Sequence, residues 1–210
     1  PVKEDRIESC KDIAKAMDST TLCIQGPPGA GKTYLSSHLI NDLLRQGKKV
    51  GISSNSHKAI LNLMEACDKY ATQEFKTVKV GGDKQDPVLA ESQRLEHCGS
   101  PQKASADYEG GLIGGTAWFF SRDDMKEKLD YLFIDEAGQV SVANLVGMSP
   151  CAENLVLIGD QMQLQQPLQG THPGESGLSL LDYYLNDESI IPPDRGIFLD
   201  ITWRLHPEIC

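Results

Sequence analysis

Eight residues near the start of the chain, Gly26-Pro27-Pro28-Gly29-Ala30-Gly31-Lys32-Thr33, carry the spacing G-x-x-x-x-G-K-[ST] that a nucleotide's phosphates require. Glycines let backbone N–H groups turn inward around phosphate oxygens, and a helix starting at the lysine adds its partial positive charge. In that arrangement Lys32 reaches the β- and γ-phosphates and the Thr33 hydroxyl ligates Mg²⁺, with Tyr34 next in the nucleotide-contacting set. A phosphate loop alone names no reaction, because kinases, GTPases, transporters and motors all use one. Asp135-Glu136 narrows the choice. One carboxylate is placed to hold Mg²⁺ through its water shell, and the other to accept a proton from, and orient, the water that attacks the γ-phosphate. Further on, Gly159-Asp160-Gln161-Met162-Gln163-Leu164 offers an amide at Gln163. That amide either bonds the γ-phosphate or the attacking water, or is an ordinary polar loop residue.

These groups need strands and helices to hold them. Ile7, Cys10, Ala14 and Met17 recur at helical spacing, and residues 21–25 read as a short strand leading into the phosphate loop. A helix follows from Thr33, with Leu35, Leu39 and Leu43 beside Ile40 and Leu44, and Gly47 stops it. Residues 49–53 read as a strand and 57–70 as a helix, with Ile60, Met64 and Cys67 on one face. Further strands are expected over 77–80, 112–115, 131–134, 155–158 and 197–201. The runs Tyr131-Leu132-Phe133-Ile134 and Leu155-Val156-Leu157-Ile158 are apolar without alternation, the mark of parallel strands covered on both faces. A carboxylate closing such a strand faces the same crevice as the phosphate loop. The fold class is therefore α/β, a mainly parallel sheet with helices on both faces. Residues 83–111 are polar and carry Pro87 and Pro101, and they read as an insertion on the sheet without a strand of its own. Residues 170–177 and 192–196 read as loops.

Composition sets limits on partners. The 210 residues hold 30 acidic against 20 basic side chains, a net charge of −10, and 40% are hydrophobic. That suits one globular domain with a real core. The acidic balance argues against a protein that grips nucleic acid by bulk charge alone, though not against a local basic or neutral groove. No apolar run approaches the roughly 20 residues of a membrane span, so no membrane partner is expected. Residues 1–17 are charged throughout and lack a signal-peptide core. The six cysteines are scattered without a C-x-x-C pair, so the expected setting is a reducing cytoplasm.

Taken together, the motifs resemble those of superfamily 1 helicases. Residues 26–33 resemble motif I, Asp135-Glu136-Ala137-Gly138-Gln139 motif II, and residues 159–164 motif III. Trp203-Arg204-Leu205-His206-Pro207 resembles motif IV, usually Y-R-M-H-P. The set is similar to the 1B branch that contains the nonsense-mediated-decay helicase, and residues 170–177 and 194–203 resemble bacterial proteins joining a RecB-like nuclease to such a helicase. The resemblance implies a RecA-like P-loop NTPase domain, the first of two. It also implies ATP and Mg²⁺ as cofactors, and 5′-to-3′ movement on single-stranded nucleic acid, DNA in preference to RNA. By resemblance, Gln163 couples the γ-phosphate to the bound strand, Arg204 stabilises charge on the transferring phosphoryl group, and Gln139 joins the nucleotide site. Trp203 either stacks on the adenine or is buried at the end of the last strand.

Ser54-Asn55-Ser56-His57-Lys58-Ala59 resembles motif Ia and Gly115-Thr116-Ala117 motif Ic, both at strand ends where hydroxyls and amides meet a strand's phosphates. His57 is either such a contact or a solvated helix residue. The run Trp118-Phe119-Phe120 either packs a helix onto the sheet or offers a stacking platform to bases. The family's adenine-reading glutamine has no match in residues 1–20, and motifs V and VI do not follow motif IV. The chain is thus expected to be part of a longer protein, whose second RecA-like domain and upstream nuclease domain are its partners. The alternative is a nucleotide-gated binding switch that never moves along a strand, against which Glu136 argues. A kinase or GTPase is disfavoured, since no guanine-reading N-K-x-D occurs.

Overall fold

The computed structural model describes residues 4–161, 173–186 and 188–203. Helices and strands alternate along the chain: α1 (Glu4–Lys15), β1 (Thr21–Gln25), α2 (Lys32–Arg45), β2 (Val50–Ser53), α3 (His57–Lys69) and β3 (Thr77–Val80). Then come α4 (Pro87–Glu91), β4 (Leu95–Cys98), α5 (Pro101–Ala106), β5 (Leu112–Gly114), α6 (Ala117–Phe120), β6 (Leu129–Ile134), α7 (Val142–Met148), β7 (Ala152–Gly159), α8 (Leu180–Leu185) and β8 (Gly196–Phe198).

The strands form one sheet in the order β4-β3-β5-β2-β6-β7-β1-β8, and the pairs among them are parallel. Alternation along each strand splits the core into two layers. Ile24, Ile52, Tyr131, Phe133, Val156 and Ile158 meet α1, α2 and α3 on one face. Cys23, Ile113, Leu132, Ile134 and Leu157 meet α5, α6, α7 and α8 on the other. The central strands are apolar on both sides because both sides are covered.

Local chemistry fixes the helix ends. The Ser56 hydroxyl accepts from the Ala59 N–H at 3.0 Å and starts α3, and Ser141 and Ser179 cap α7 and α8 in the same way. Past α2, Gly47 takes φ +77° and its N–H bonds the Leu44 carbonyl at 2.9 Å, which ends the helix where the sequence predicts. The buried Tyr131 hydroxyl donates to the Ala14 carbonyl at 2.9 Å and pins α1 onto the sheet.

Two expectations need correction. Residues 83–111 do carry a strand: β4 pairs with β3 from Thr77↔Leu95 to Val80↔Cys98 and forms the sheet's edge. Its sequence Leu-Glu-His-Cys lacks an apolar run because an edge strand has a neighbour on one side only, and Glu96 is exposed where Leu95 is buried. The last strand is shorter and earlier than 197–201, covering Gly196–Phe198. Beyond it the buried Leu199 donates its N–H to the Gln25 carbonyl at 2.8 Å, and the chain then crosses the end of β1.

Candidate nucleotide cleft and its rim

β1 delivers the phosphate loop, and Gln25 fixes its end. That side chain is 4% exposed; its oxygen accepts from the Ile191 N–H at 2.7 Å and its amide donates to the Ser189 carbonyl at 3.0 Å. The loop then turns through left-handed backbone at Gly29 (φ +78°) and Gly31 (φ +91°), conformations that an L side chain would strain. Gly31 stands at the N-cap of α2 with no side-chain cap, so the first N–H groups of that helix are left for an anion. The Lys32 ammonium lies back over the loop, donating to the carbonyls of Gly26 at 2.6 Å and Pro27 at 3.1 Å. The Gly26 N–H bonds the Gly159 carbonyl at 3.2 Å, which ties the loop to the end of β7.

β7 lies between β1 and β6, so the carboxylate pair closing β6 faces the loop across one strand. The Asp135 N–H donates to the Ser53 carbonyl at 2.8 Å, and Asp135 Oδ1 accepts from the Glu136 N–H at 2.9 Å. Burial pushes the Asp135 carboxyl up to about 6; the Glu136 N–H bond pulls it down, the Glu136 charge raises it and Lys32 lowers it. A desolvated carboxylate beside a phosphate loop is relieved by a cation. Thr33 and Asp135 together present two hard oxygen donors, the partial set that Mg²⁺ takes from proteins when phosphates and water complete its shell. Among the described residues no group of three or more His, Cys, Asp and Glu offers another metal site. Glu136 is held in left-handed backbone (φ +54°), a conformation costing about 1 kcal/mol or more for a residue with a Cβ. The turn it makes separates its side chain from that of Asp135, and Glu136 Oε2 accepts from the Ser54 hydroxyl at 3.4 Å.

A cleft of about 750 Å³ joins these groups: Pro28, Gly29, Gly31, Lys32, Thr33 and Tyr34 from the loop, Asp135 and Glu136 from β6, and Gly159 and Asp160 from β7. Trp203 closes one side at 57% exposure, which sets aside the reading that buries it at the strand end. Its N–H bonds the Gly29 carbonyl at 3.0 Å, and the Thr202 hydroxyl bonds the Pro28 carbonyl at 2.9 Å. Tyr34 stands edge-on to Tyr70 at 5.2 Å and leans on His38 at 4.2 Å. Of the other loop residues, Ala30 is buried beneath the turn, and Gly26 and Pro27 serve Lys32 through their carbonyls.

Sequence reasoning missed Asn62, which lines the cleft from α3 together with Ala59, the last residue of the motif Ia resemblance. A signal existed for Asn62, the polar position inside the apolar series Ile60, Leu61, Leu63 and Met64. Gln139, expected at the nucleotide, is not among the lining residues. It ends a 3₁₀ turn, Ala137–Gln139, that carries its backbone away from the loop, and its carbonyl accepts the Asn55 amide instead. Gln163 and Arg204 lie outside the described residues.

The residues expected to meet a nucleic-acid strand sit apart, on the rim formed by β2 and β5. Ser54 is buried against Glu136, Asn55 reaches Gln139, Ser56 caps α3, and His57 is exposed with Nδ1 2.8 Å from Lys79 Nζ. The Gly115 N–H bonds the Ile52 carbonyl at 3.0 Å, and the Thr116 carbonyl starts α6. The aromatic run divides: Phe119 and Phe120 enter the core, while Trp118 is 86% exposed.

Comparison with known proteins adds lineage to this geometry. A family model described as an AAA domain matches residues 10–168. The DNA replication ATP-dependent helicase/nuclease dna2 of Schizosaccharomyces pombe is 28% identical over 211 residues, 99% of this chain and 15% of that protein. The DNA replication ATP-dependent helicase/nuclease JHS1 of Arabidopsis thaliana is 28% identical over 165 residues, 75% of this chain and 12% of that protein. The chain thus spans about a seventh of the length of these relatives. Among solved structures, the helicase domain of Pyrococcus furiosus Hef superposes with a TM-score of 0.55 at 17% identity, covering 93% of this chain and 37% of that one. A Bacteroides Pif1 helicase in complex with ADP-AlF3 and ssDNA gives 0.51 at 16% identity, covering 99% and 44%. At such identities the likeness establishes the fold, which is RecA-like.

Proposed function

From the premise that this chain belongs to the AAA domain family, we propose that it is the ATP-hydrolysing motor domain of a superfamily 1 helicase acting on single-stranded DNA. The observation that carries this reading is the convergence of Lys32, Thr33, Asp135 and Glu136 on one cleft, from two strands separated only by β7. The Dna2 helicase/nucleases favour DNA as the polymer.

ATP supplies the transferable phosphoryl group and Mg²⁺ neutralises its oxygens. The chain's own residues bind and orient. The Lys32 ammonium exchanges the Gly26 and Pro27 carbonyls for phosphate oxygens, and the N–H groups at the start of α2 take the remaining charge. Thr33 and Asp135 would hold the Mg²⁺, which would neutralise charge on the phosphate oxygens. Glu136 orients the attacking water and takes its proton, and the Ser54 hydroxyl steadies the carboxylate from the rim. Trp203 offers an aromatic wall to the base. Gln163 and Arg204 serve as γ-phosphate sensor and charge clamp.

Translocation needs a second RecA-like domain that closes on ATP and reopens after hydrolysis, with 5′-to-3′ direction. That domain and a nuclease domain belong, in this reading, to the same longer polypeptide, since the Dna2 relatives are helicase/nucleases. The test is the ATPase rate of the full-length protein with and without single-stranded DNA or RNA, beside Lys32→Ala and Glu136→Gln. Stimulation by DNA that both variants abolish supports the motor. A rate indifferent to either polymer overturns it in favour of a nucleotide-gated switch.

A further inference from the structure

Lys79 is the residue of the sheet that simple patterning explains least. The alternation Thr77-Val78-Lys79-Val80 places it on the face covered by α3, and it is fully buried at 0% exposure. A buried ammonium persists only when its protons are satisfied. Its Nζ donates to the Val80 carbonyl at 2.8 Å and the Gly81 carbonyl at 3.1 Å, and it stands 2.8 Å from His57 Nδ1. Three protons therefore have three partners, and the third can only be received by an imidazole nitrogen that carries a lone pair.

The ring is held for this. A Cβ on Gly82, whose φ is +81°, would lie 3.0 Å from His57 Cγ and 3.1 Å from Nδ1, so the backbone approaches the ring face as closely as only glycine allows. His57 is nevertheless exposed, and its Nε2 has no hydrogen-bond partner among the described residues. Which nitrogen of a histidine bears the proton is decided by the bond that the other one makes. Here Nδ1 accepts, so the proton is on Nε2.

We propose that Lys79 is a positioning residue that fixes His57 as the neutral Nε2–H tautomer, so that the ring offers one outward hydrogen-bond donor to a backbone phosphate of the bound strand. This rests on the strand-binding reading of residues 54–57. A neutral donor orients the strand without adding a charge that would have to be stripped at each step. Burial, Lys79 and then His97 on β4 all lower the ring's pKa, which keeps it uncharged. Burial also lowers Lys79, to about 8, against the opposing pull of Asp86 at the start of α4. These groups, Lys79, His97 and Asp86, are the titratable residues bearing on the pair.

Ring-nitrogen NMR of the chain combined with fluorescence anisotropy on an oligo(dT) probe tests the proposal. At pH 7 the His57 signals are expected to be those of the neutral Nε2–H form. Raising the pH through about 8 takes a proton from Lys79, lets Nζ accept, and moves the ring towards Nδ1–H. Lys79→Met, close in volume, leaves a mixture of tautomers and returns the ring pKa towards the usual value of about 6.5. Oligo(dT) binding by that variant then tightens as the pH falls through this value, a response that Lys79→Met with His57→Gln lacks. In the wild-type background His57→Gln weakens binding by about 3- to 10-fold. An Nδ1–H ring or an imidazolium in the wild type at pH 7 overturns the proposal, as does an unchanged tautomer in Lys79→Met. If that variant does not fold, the wild-type change near pH 8 decides the matter. A locked tautomer with binding indifferent to His57→Gln refutes the phosphate contact alone. No oligo(dT) binding by any form refutes the strand reading itself, and with it the phosphate contact, while the ring signals still judge the lock.

Discussion

The carboxyl ends of β1, β6 and β7 and those of β2, β5 and β3 occupy equivalent positions along one parallel sheet, but they present opposite chemistry. The first set encloses a cleft in which charged groups are desolvated: Lys32 folds over its own loop, and burial lifts Asp135 to about 6. The second set is an open rim of hydroxyls, amides and an exposed imidazole, with Lys79 sealed beneath. In the proposed reading the contrast follows from what each would hold. Phosphoryl transfer needs preorganised charge kept from water, whereas backbone contacts to a polymer are made at an open surface that it can leave. Bonds join the halves: the Ser54 hydroxyl to Glu136, the Asn55 amide to the Gln139 carbonyl, and the Asp135 N–H to the Ser53 carbonyl. In the proposed reading, a strand bound at the rim has a short path to Glu136.

The largest effect that separates the two regions is expected at the loop. Lys32→Ala lowers ATP turnover by about 10³-fold, because one preorganised donor to developing charge is worth that order, while oligonucleotide affinity measured without nucleotide changes little. Glu136→Gln lowers turnover by about 10²-fold or more yet retains nucleotide binding, to be read by a fluorescent ATP analogue. If both variants lose strand binding to the same degree as turnover, the two regions are one site and the contrast fails.

Asn55→Ala addresses the junction. It is expected to reduce the oligonucleotide-stimulated ATPase rate by about 10-fold, the worth of one buried hydrogen bond, and the unstimulated rate by less. Equal losses in both rates would assign Asn55 a purely structural place.

Asp135→Asn tests the cost of desolvation. A carboxyl whose folded pKa lies above its ordinary 3.8 binds protons more tightly when folded, so its ionisation destabilises the fold. The penalty is absent below the ordinary pKa, grows between about 4 and 6, and is complete above that. The amide removes it, so the nucleotide-free variant gains about 3 kcal/mol at pH 7 and almost nothing at pH 3.5, by denaturant titration at the two values. It is also expected to lose Mg²⁺-dependent turnover. The smallest effect is expected for Trp203→Ala: its ring is 57% exposed, so the fold is little affected. KM for ATP rises about 3- to 10-fold as an aromatic wall is lost.

Much of this was legible in the chain. The phosphate loop, the strand before it and the helix after it are local features, set by glycine conformational freedom and a 3.6-residue apolar period. Asp135-Glu136 was readable because a short unbroken apolar run after a phosphate loop and its helix fits a doubly covered strand, whose polar end then faces the crevice. Edge and rim were harder. β4 has no apolar run, since an edge strand needs none, and Lys79 looks like a solvated charge in a strand that reads as alternating. Its burial is decided by α3 and the Gly81-Gly82 turn, which no spacing rule brings together.

Gln139 shows the same divide. Its sequence position three residues past Glu136 is a matter of covalent order, but its orientation depends on the left-handed turn at Glu136 and on Asn55, 84 residues earlier. The amino-acid sequence alone determined the α/β class, the loop, the carboxylate pair and the order of the motifs, because those depend on neighbours within a few residues. Which side chains share the cleft, which tie the cleft to the rim and why a lysine is buried under a histidine were decided by strand order and packing. These are contacts between distant segments, whose strength depends on burial that only the closed fold creates.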